Sequence, residues 1–197
     1  MRIFTFILFS VILNLAACQL GFAGLASDPI SFGAWSEPTN GLRGRLLFAE
    51  GIQLKEGARL GLVYLELQNV SPGESLYVYY AVMKSPLKCE LRDSDGKAVK
   101  NSLGAGGEGI PRACWLTLPL DSTLRFLTGS SGSAPDYPCL FVVSAWVGGK
   151  WAIPATATND YYLSGTFSSM SPTNETRSQV WEGTLKLPPV RISVKSP

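Results

Sequence analysis

From Gly33 onward, apolar residues come in short stretches separated by Gly, Pro, Asn, Asp and Ser, which is the pattern of strands and turns. No window sustains helical periodicity. The segment LRGRLLFA (42–49) predicts a first strand and RLGLVYLELQN (59–69) a second. In the second, Val63, Leu65 and Leu67 share one face and Tyr64, Glu66 and Gln68 the other, the alternation of a half-buried strand. SPGE (71–74) reads as a turn, with Pro72 fixing one backbone angle and Gly73 free to take a positive one. ESLYVYYAV (74–82) and LKCELRD (87–93) follow as strands. DSDGKAV folds back on the latter through Asp95-Gly96, read as a two-residue hairpin turn.

The Gly-rich NSLGAGGEG (101–109) has no following helix and no Lys-Ser or Lys-Thr pair, so it predicts a loop rather than a phosphate cradle. ACWLTLPLDSTLRFL (113–127) gives two short strands broken at Pro119, and SSGSAPDYP (130–138) reads as an exposed loop. CLFVVSAW (139–146), YYLSGTF (161–167), VWEGTLKL and VRISVK complete the set. In AWVGGKWAI (145–153), a turn at Gly148-Gly149 would place Val147 opposite Lys150 and Trp146 opposite Trp151. That register makes Trp146 and Trp151 a candidate contact platform, against the plainer expectation that they brace the hairpin inside the domain. Roughly nine or ten short strands in one chain predict an all-β fold, a single sandwich with Greek-key links. Pro188-Pro189 interrupts the last strand, which fits an edge or a strand that changes sheets.

The N-terminus has a different pattern. Met1-Arg2, an apolar run from Ile3 to Leu13 and then small residues form the layout of a signal peptide, too short to span a bilayer as an ordinary helix. Leu15-Ala16-Ala17-Cys18 resembles the lipobox of bacterial lipoproteins. That resemblance implies a leader over 1–17, acylation of Cys18, a linker over 18–32 and a domain over 33–197. It implies a membrane anchor in the cell envelope, and Gln19 gives no signal for inner-membrane retention, so the outer membrane or periplasm is expected. Cleavage near 23–26, which would give a plainly secreted protein, is the alternative.

The 197 residues carry 17 Lys and Arg against 15 Asp and Glu, a net charge of +2, with no basic run. That balance is too even for an electrostatic footprint on nucleic acid. His is absent, which removes the commonest general base and the commonest metal ligand, and no enzyme activity, metal or cofactor is expected. The mature domain keeps Cys89, Cys114 and Cys139, an odd number at equal spacing, so one disulfide and one spare thiol are expected. Cys114 with Cys139 is preferred because each opens a strand beside an adjustable loop. Asn69-Val70-Ser71 and Asn174-Glu175-Thr176 match glycosylation sequons, relevant only in a eukaryotic host.

NDYYLSGTF resembles the penultimate strand of immunoglobulin-like and fibronectin type III domains. The resemblance implies an immunoglobulin-like sandwich in which Tyr161 bonds back to the preceding corner and Leu163 enters the core. AWSEPTNGLRGRL and VWEGTLKLPPVRISV resemble the two ends of exported bacterial sandwich proteins of no established activity. LELQNVSPGESLYVYY with ELRDSDGKAV is similar in layout to an intracellular proteinase-inhibitor family. The sequence therefore predicts a non-catalytic module of the cell envelope that binds a protein partner or acts as a scaffold. A carbohydrate-binding module, for which five Trp and seven Tyr could supply stacking rings, or a proteinase-inhibitor-like module is the alternative.

Overall fold

The alternation read from the sequence becomes twelve β-strands, with no helix among the described residues. The computed structural model describes residues 30–53, 59–80, 86–101, 113–134, 137–145, 149–154 and 159–193. Residues 1–29, Cys18 among them, and most of the Gly-rich segment 101–109 lie outside them. In chain order the strands are β1 (Ile30–Phe32), β2 (Leu42–Gln53), β3 (Arg59–Asn69), β4 (Leu76–Tyr80), β5 (Leu87–Asp93) and β6 (Cys114–Leu118). Then come β7 (Thr123–Ala134), β8 (Tyr137–Ala145), β9 (Gly149–Pro154), β10 (Asp160–Ser169), β11 (Val180–Trp181) and β12 (Gly183–Ser193).

One sheet has six strands in the order β1-β2-β3-β7-β8-β9. Two smaller sheets run β12-β10-β5 and β11-β4-β6. The sheets pack face to face because one side of each strand is apolar. Leu42, Leu46 and Phe48 of β2 and Val63, Leu65 and Leu67 of β3 are buried, as are Val143 of β8 and Trp151 and Ile153 of β9. Opposite them lie buried Leu87 and Leu91 of β5, Leu163 and Phe167 of β10, and Leu185, Leu187, Val190 and Ile192 of β12. The layers meet closely at Gly44, where an added Cβ would sit 3.0 Å from Leu187 and 3.2 Å from Leu185. Each fully buried large aliphatic side chain contributes roughly 1.5–3 kcal/mol, so this seam is the main source of stability.

A second hub joins all three sheets through aromatic rings. Tyr80 of β4 meets Phe126 of β7 edge to face at 5.3 Å and Phe167 of β10 at 6.3 Å. Phe167 in turn stacks on Trp181 of β11 at 5.9 Å. The Trp181 indole N–H donates to the Thr39 carbonyl at 2.8 Å, which satisfies the one polar atom of an otherwise buried ring.

Several local expectations give way to the tertiary structure. Residues 130–134 and 137–138, expected in a loop, belong to the paired strands β7 and β8, where the small side chain of Ser131 lies buried. The hairpin from β8 to β9 pairs Ala145 with Gly149 and Val143 with Trp151, so its connection is 146–148 and not the expected two-residue turn. In this register Trp151 falls on the core face with Val143, and its ring lies over Gly149, 2.7 Å from where a Cβ would stand. Asp95-Gly96 also makes a longer turn than expected. The Gly96 N–H bonds to the Asp93 carbonyl, Gly96 takes φ +78°, and Asp93 pairs with Lys97, a three-residue loop closed by a left-handed glycine. The true two-residue turn is Asn40-Gly41, with φ +49° and +79° and reciprocal bonds between Thr39 and Leu42. The prolines behave as expected: Pro188-Pro189 sits in β12, an edge strand, opposite the bulge between Leu163 and Gly165.

Candidate functional site

The Asn40-Gly41 turn sends 33–39 back along β2, with hydrogen bonds from Ser36 N to the Gly44 carbonyl (2.8 Å) and from Gly33 N to the Leu46 carbonyl (2.9 Å). This extended segment lays Trp35 over the outer face of the six-stranded sheet. Because β2 alternates, Leu42, Gly44 and Leu46 point to the core while Arg43 and Arg45 point outward. The guanidinium carbons of Arg43 and Arg45 lie 4.7 and 4.3 Å from the centre of the Trp35 ring. Arg45 also lies 4.8 Å from the Phe32 ring centre. Each such contact is worth about 0.5–1 kcal/mol near the surface.

Across the sheet, register brings charge into a row. Arg45 of β2 stands opposite Glu66 of β3, and Glu66 stands opposite Arg125 of β7. Arg45 Nε donates to Glu66 Oε2 at 2.5 Å, and Arg125 Nε and Nη2 donate to Glu66 Oε1 at 3.1 and 2.9 Å. Glu66 is 4 % exposed and its carboxylate is bridged by two guanidinium groups. One step along the strands, Arg43 Nε bonds Gln68 Oε1 at 2.8 Å. One step the other way, Phe32, Leu47, Tyr64 and Leu127 form an apolar cross-strand row. Leu47 in that row is buried, but Phe32 is 52 % and Leu127 is 37 % exposed. Among the described residues, these rows of β2, β3 and β7 carry three arginines against one carboxylate beside exposed apolar side chains.

A bulge sets this composition. Val63 pairs with Gly129 but Tyr64 pairs with Leu127, which leaves Thr128 as the extra residue, its hydroxyl donating to the Val63 carbonyl at 3.2 Å. The bulge turns Leu127 and Arg125 outward while Ser131 beyond it stays buried. A second aromatic face lies outside the sheet β11-β4-β6, where Tyr79 and Trp115 approach to 5.0 Å and Arg177 covers the Trp115 ring at 4.5 Å.

The residues singled out from the sequence lie elsewhere. Cys18, the proposed lipid site, and Trp146 lie outside the described residues, and Trp151 is 2 % exposed in the core, where it offers no ring face to solvent. Cys89 and Cys114 are both free thiols, so neither enters the expected disulfide, and nothing is described of the Cys139 side chain. The two are held by different strands: Cys89 faces Gly165 of β10, and Cys114 faces Tyr80 of β4. Burial pushes the Cys89 thiol up to about 12, which keeps it protonated and unreactive at neutral pH. Burial and the nearby Asp93 carboxylate push the Tyr161 hydroxyl up, and 155–158, the corner it was expected to bond, are not described. Asn69 of the first sequon is fully buried and committed to hydrogen bonds, so it presents no amide to a glycan, whereas Asn174 is exposed.

No family model, curated protein or solved structure matches the chain. Among the described residues no group of His, Cys, Asp or Glu is arranged to hold a metal. The sequence reading passed over Trp35, Arg43, Arg45 and Arg125. Their signal was the Asn-Gly turn followed by Arg-Gly-Arg in strand alternation, which forces two arginines onto one face.

Proposed function

We propose that this protein is a non-catalytic β-sandwich module that binds a protein partner through the outer face of its six-stranded sheet. The observation that carries the reading is the Arg45–Glu66–Arg125 row, roofed by Trp35 and bordered by exposed Phe32 and Leu127. Arginine and large aromatics are the residue types that concentrate binding energy at protein interfaces. The absence of His from the whole sequence supports a role without acid–base chemistry. The leader and Cys18 support a place in the cell envelope, and the immunoglobulin-like resemblance agrees with a surface-binding role.

A photoreactive amino acid placed at position 32 in the producing cell tests this. A discrete protein adduct from position 32, absent from the same probe at Lys186 on the far side of the molecule, is the expected result. No adduct at 32, or the same adducts at both positions, would defeat the reading. Tyr79 and Trp115 favour a second reading, glycan stacking, which requires Arg177 to leave the Trp115 ring.

A further inference from the structure

We infer that the partner of this face is an acidic, extended peptide segment that alternates carboxylate and apolar side chains. The inference rests on the proposed binding role and adds the chemistry of what is bound. Two parallel rows carry it. The first holds Arg45 and Arg125 about one buried carboxylate, so the row keeps a cationic excess that Glu66 cannot neutralise. The second, two residues along each strand, holds Phe32 and Leu127 at its exposed ends.

Rows two residues apart along a strand are about 7 Å apart, the same spacing as side chains i and i+2 of an extended peptide. A segment lying parallel to the strands would thus set an acidic residue against the guanidinium row and its i+2 neighbour against the apolar row. Planar guanidinium groups suit carboxylates, which they bind through paired N–H donors. Trp35 restrains Arg43 and Arg45 from one side, so these long side chains lose less entropy when a partner arrives. The apolar row adds a requirement that a purely acidic polymer does not meet.

The test uses the full-length protein and an immobilised random copolymer of glutamate and tyrosine, read by biolayer interferometry. Polyglutamate, polylysine, polygalacturonate and phosphatidylglycerol vesicles are run beside it. Binding should be strongest to the Glu-Tyr copolymer, weaker to polyglutamate and lacking on polylysine, and should weaken as salt rises. Arg43→Glu and Phe32→Ser should each weaken it about tenfold, the loss of a side chain that anchors an interface. Phe32 is half-exposed and Arg43 touches only Gln68 and the Trp35 ring among the contacts described, and an unchanged melting temperature confirms that both variants fold. Lys186→Glu, on the opposite sheet, should bind as wild type.

Preference for polygalacturonate or for the vesicles would overturn the inference and replace the peptide with a glycan or a membrane. Equal loss with Lys186→Glu would overturn it as attraction of net charge alone. A position-32 adduct that persists while the Glu-Tyr copolymer is not bound would leave the binding role standing and remove the acidic peptide.

Discussion

Asn69 ends β3 with no exposed surface and ties two turns together, which makes its amide the most informative single perturbation of this fold. Its Nδ2 donates to the carbonyls of Glu74 (2.7 Å), Leu118 (3.0 Å) and Pro119 (3.2 Å). Its Oδ1 accepts from Ser71 N at 2.9 Å and Ser71 Oγ at 2.6 Å. Asn69→Ala removes all of these and leaves the buried Leu118 carbonyl without its donor. A net contribution of about 0.5–1.5 kcal/mol per bond, discounted where Glu74 and Ser71 reach solvent, puts the loss at about 2–4 kcal/mol. For a chain of this length that lowers the melting temperature by roughly 4–16 °C. Asn69→Asp keeps the shape but turns an oxygen toward three carbonyl oxygens, and should cost more than alanine at neutral pH. Urea unfolding followed by tryptophan fluorescence measures both, since Trp151 and Trp181 are buried. An Asn69→Ala protein within about 0.5 kcal/mol of wild type, the range of ordinary surface changes, would refute the reasoning.

Four further outcomes are expected. Iodoacetamide at pH 8 should modify exposed Cys114 in the native protein and leave Cys89 untouched until denaturation; peptide mapping that finds Cys89 labelled first would contradict its burial. Because the folded Cys89 thiol is raised to about 12 from 9.0, its contribution is complete below pH 9 and is lost as pH rises toward 12, so stability relative to Cys89→Ala should fall across that window in alkaline denaturation. Ser131→Ala should raise the urea midpoint by about 1 kcal/mol equivalent, because the buried Ser131 hydroxyl has no hydrogen-bond partner among the described residues; a loss of stability would show that the hydroxyl is bonded in solution. Glu66→Gln should lower stability by about 1–3 kcal/mol, kept modest because Arg125 is 42 % exposed, and the loss should shrink in high salt; an unchanged midpoint would show the row to be energetically idle.

The legible part of the fold was local. β3 and β5 begin and end where alternation and turn residues placed them, and Pro119 separates β6 from β7 as expected, although β7 runs on to Ala134. Val63, Leu65 and Leu67 are all buried, as a period of two requires of residues that share the core side. Gly73 takes its positive φ at +97° in the Pro72-Gly73 turn. The hairpin at 145–153 was misread because both faces of its strands are apolar, so alternation could not choose between registers that differ by three residues.

The amino-acid sequence by itself determined that this chain is all-β, where most strands lie and which side of each is apolar, because side-chain alternation and turn chemistry are fixed by neighbouring residues. Only the tertiary structure decided which strands meet. Glu66 reads as an ordinary outward polar residue until β2 and β7 bring Arg45 and Arg125 against it, and Asn69 reads as a sequon until the turns at Glu74 and Pro119 close over it. Arg125 and Pro119 come from distant parts of the chain, and the β3–β7 ladder that carries Glu66 and Arg125 contains a single extra residue, Thr128. A one-residue insertion in a ladder reverses the side every later residue faces, and that choice is made by the packing of the whole sandwich.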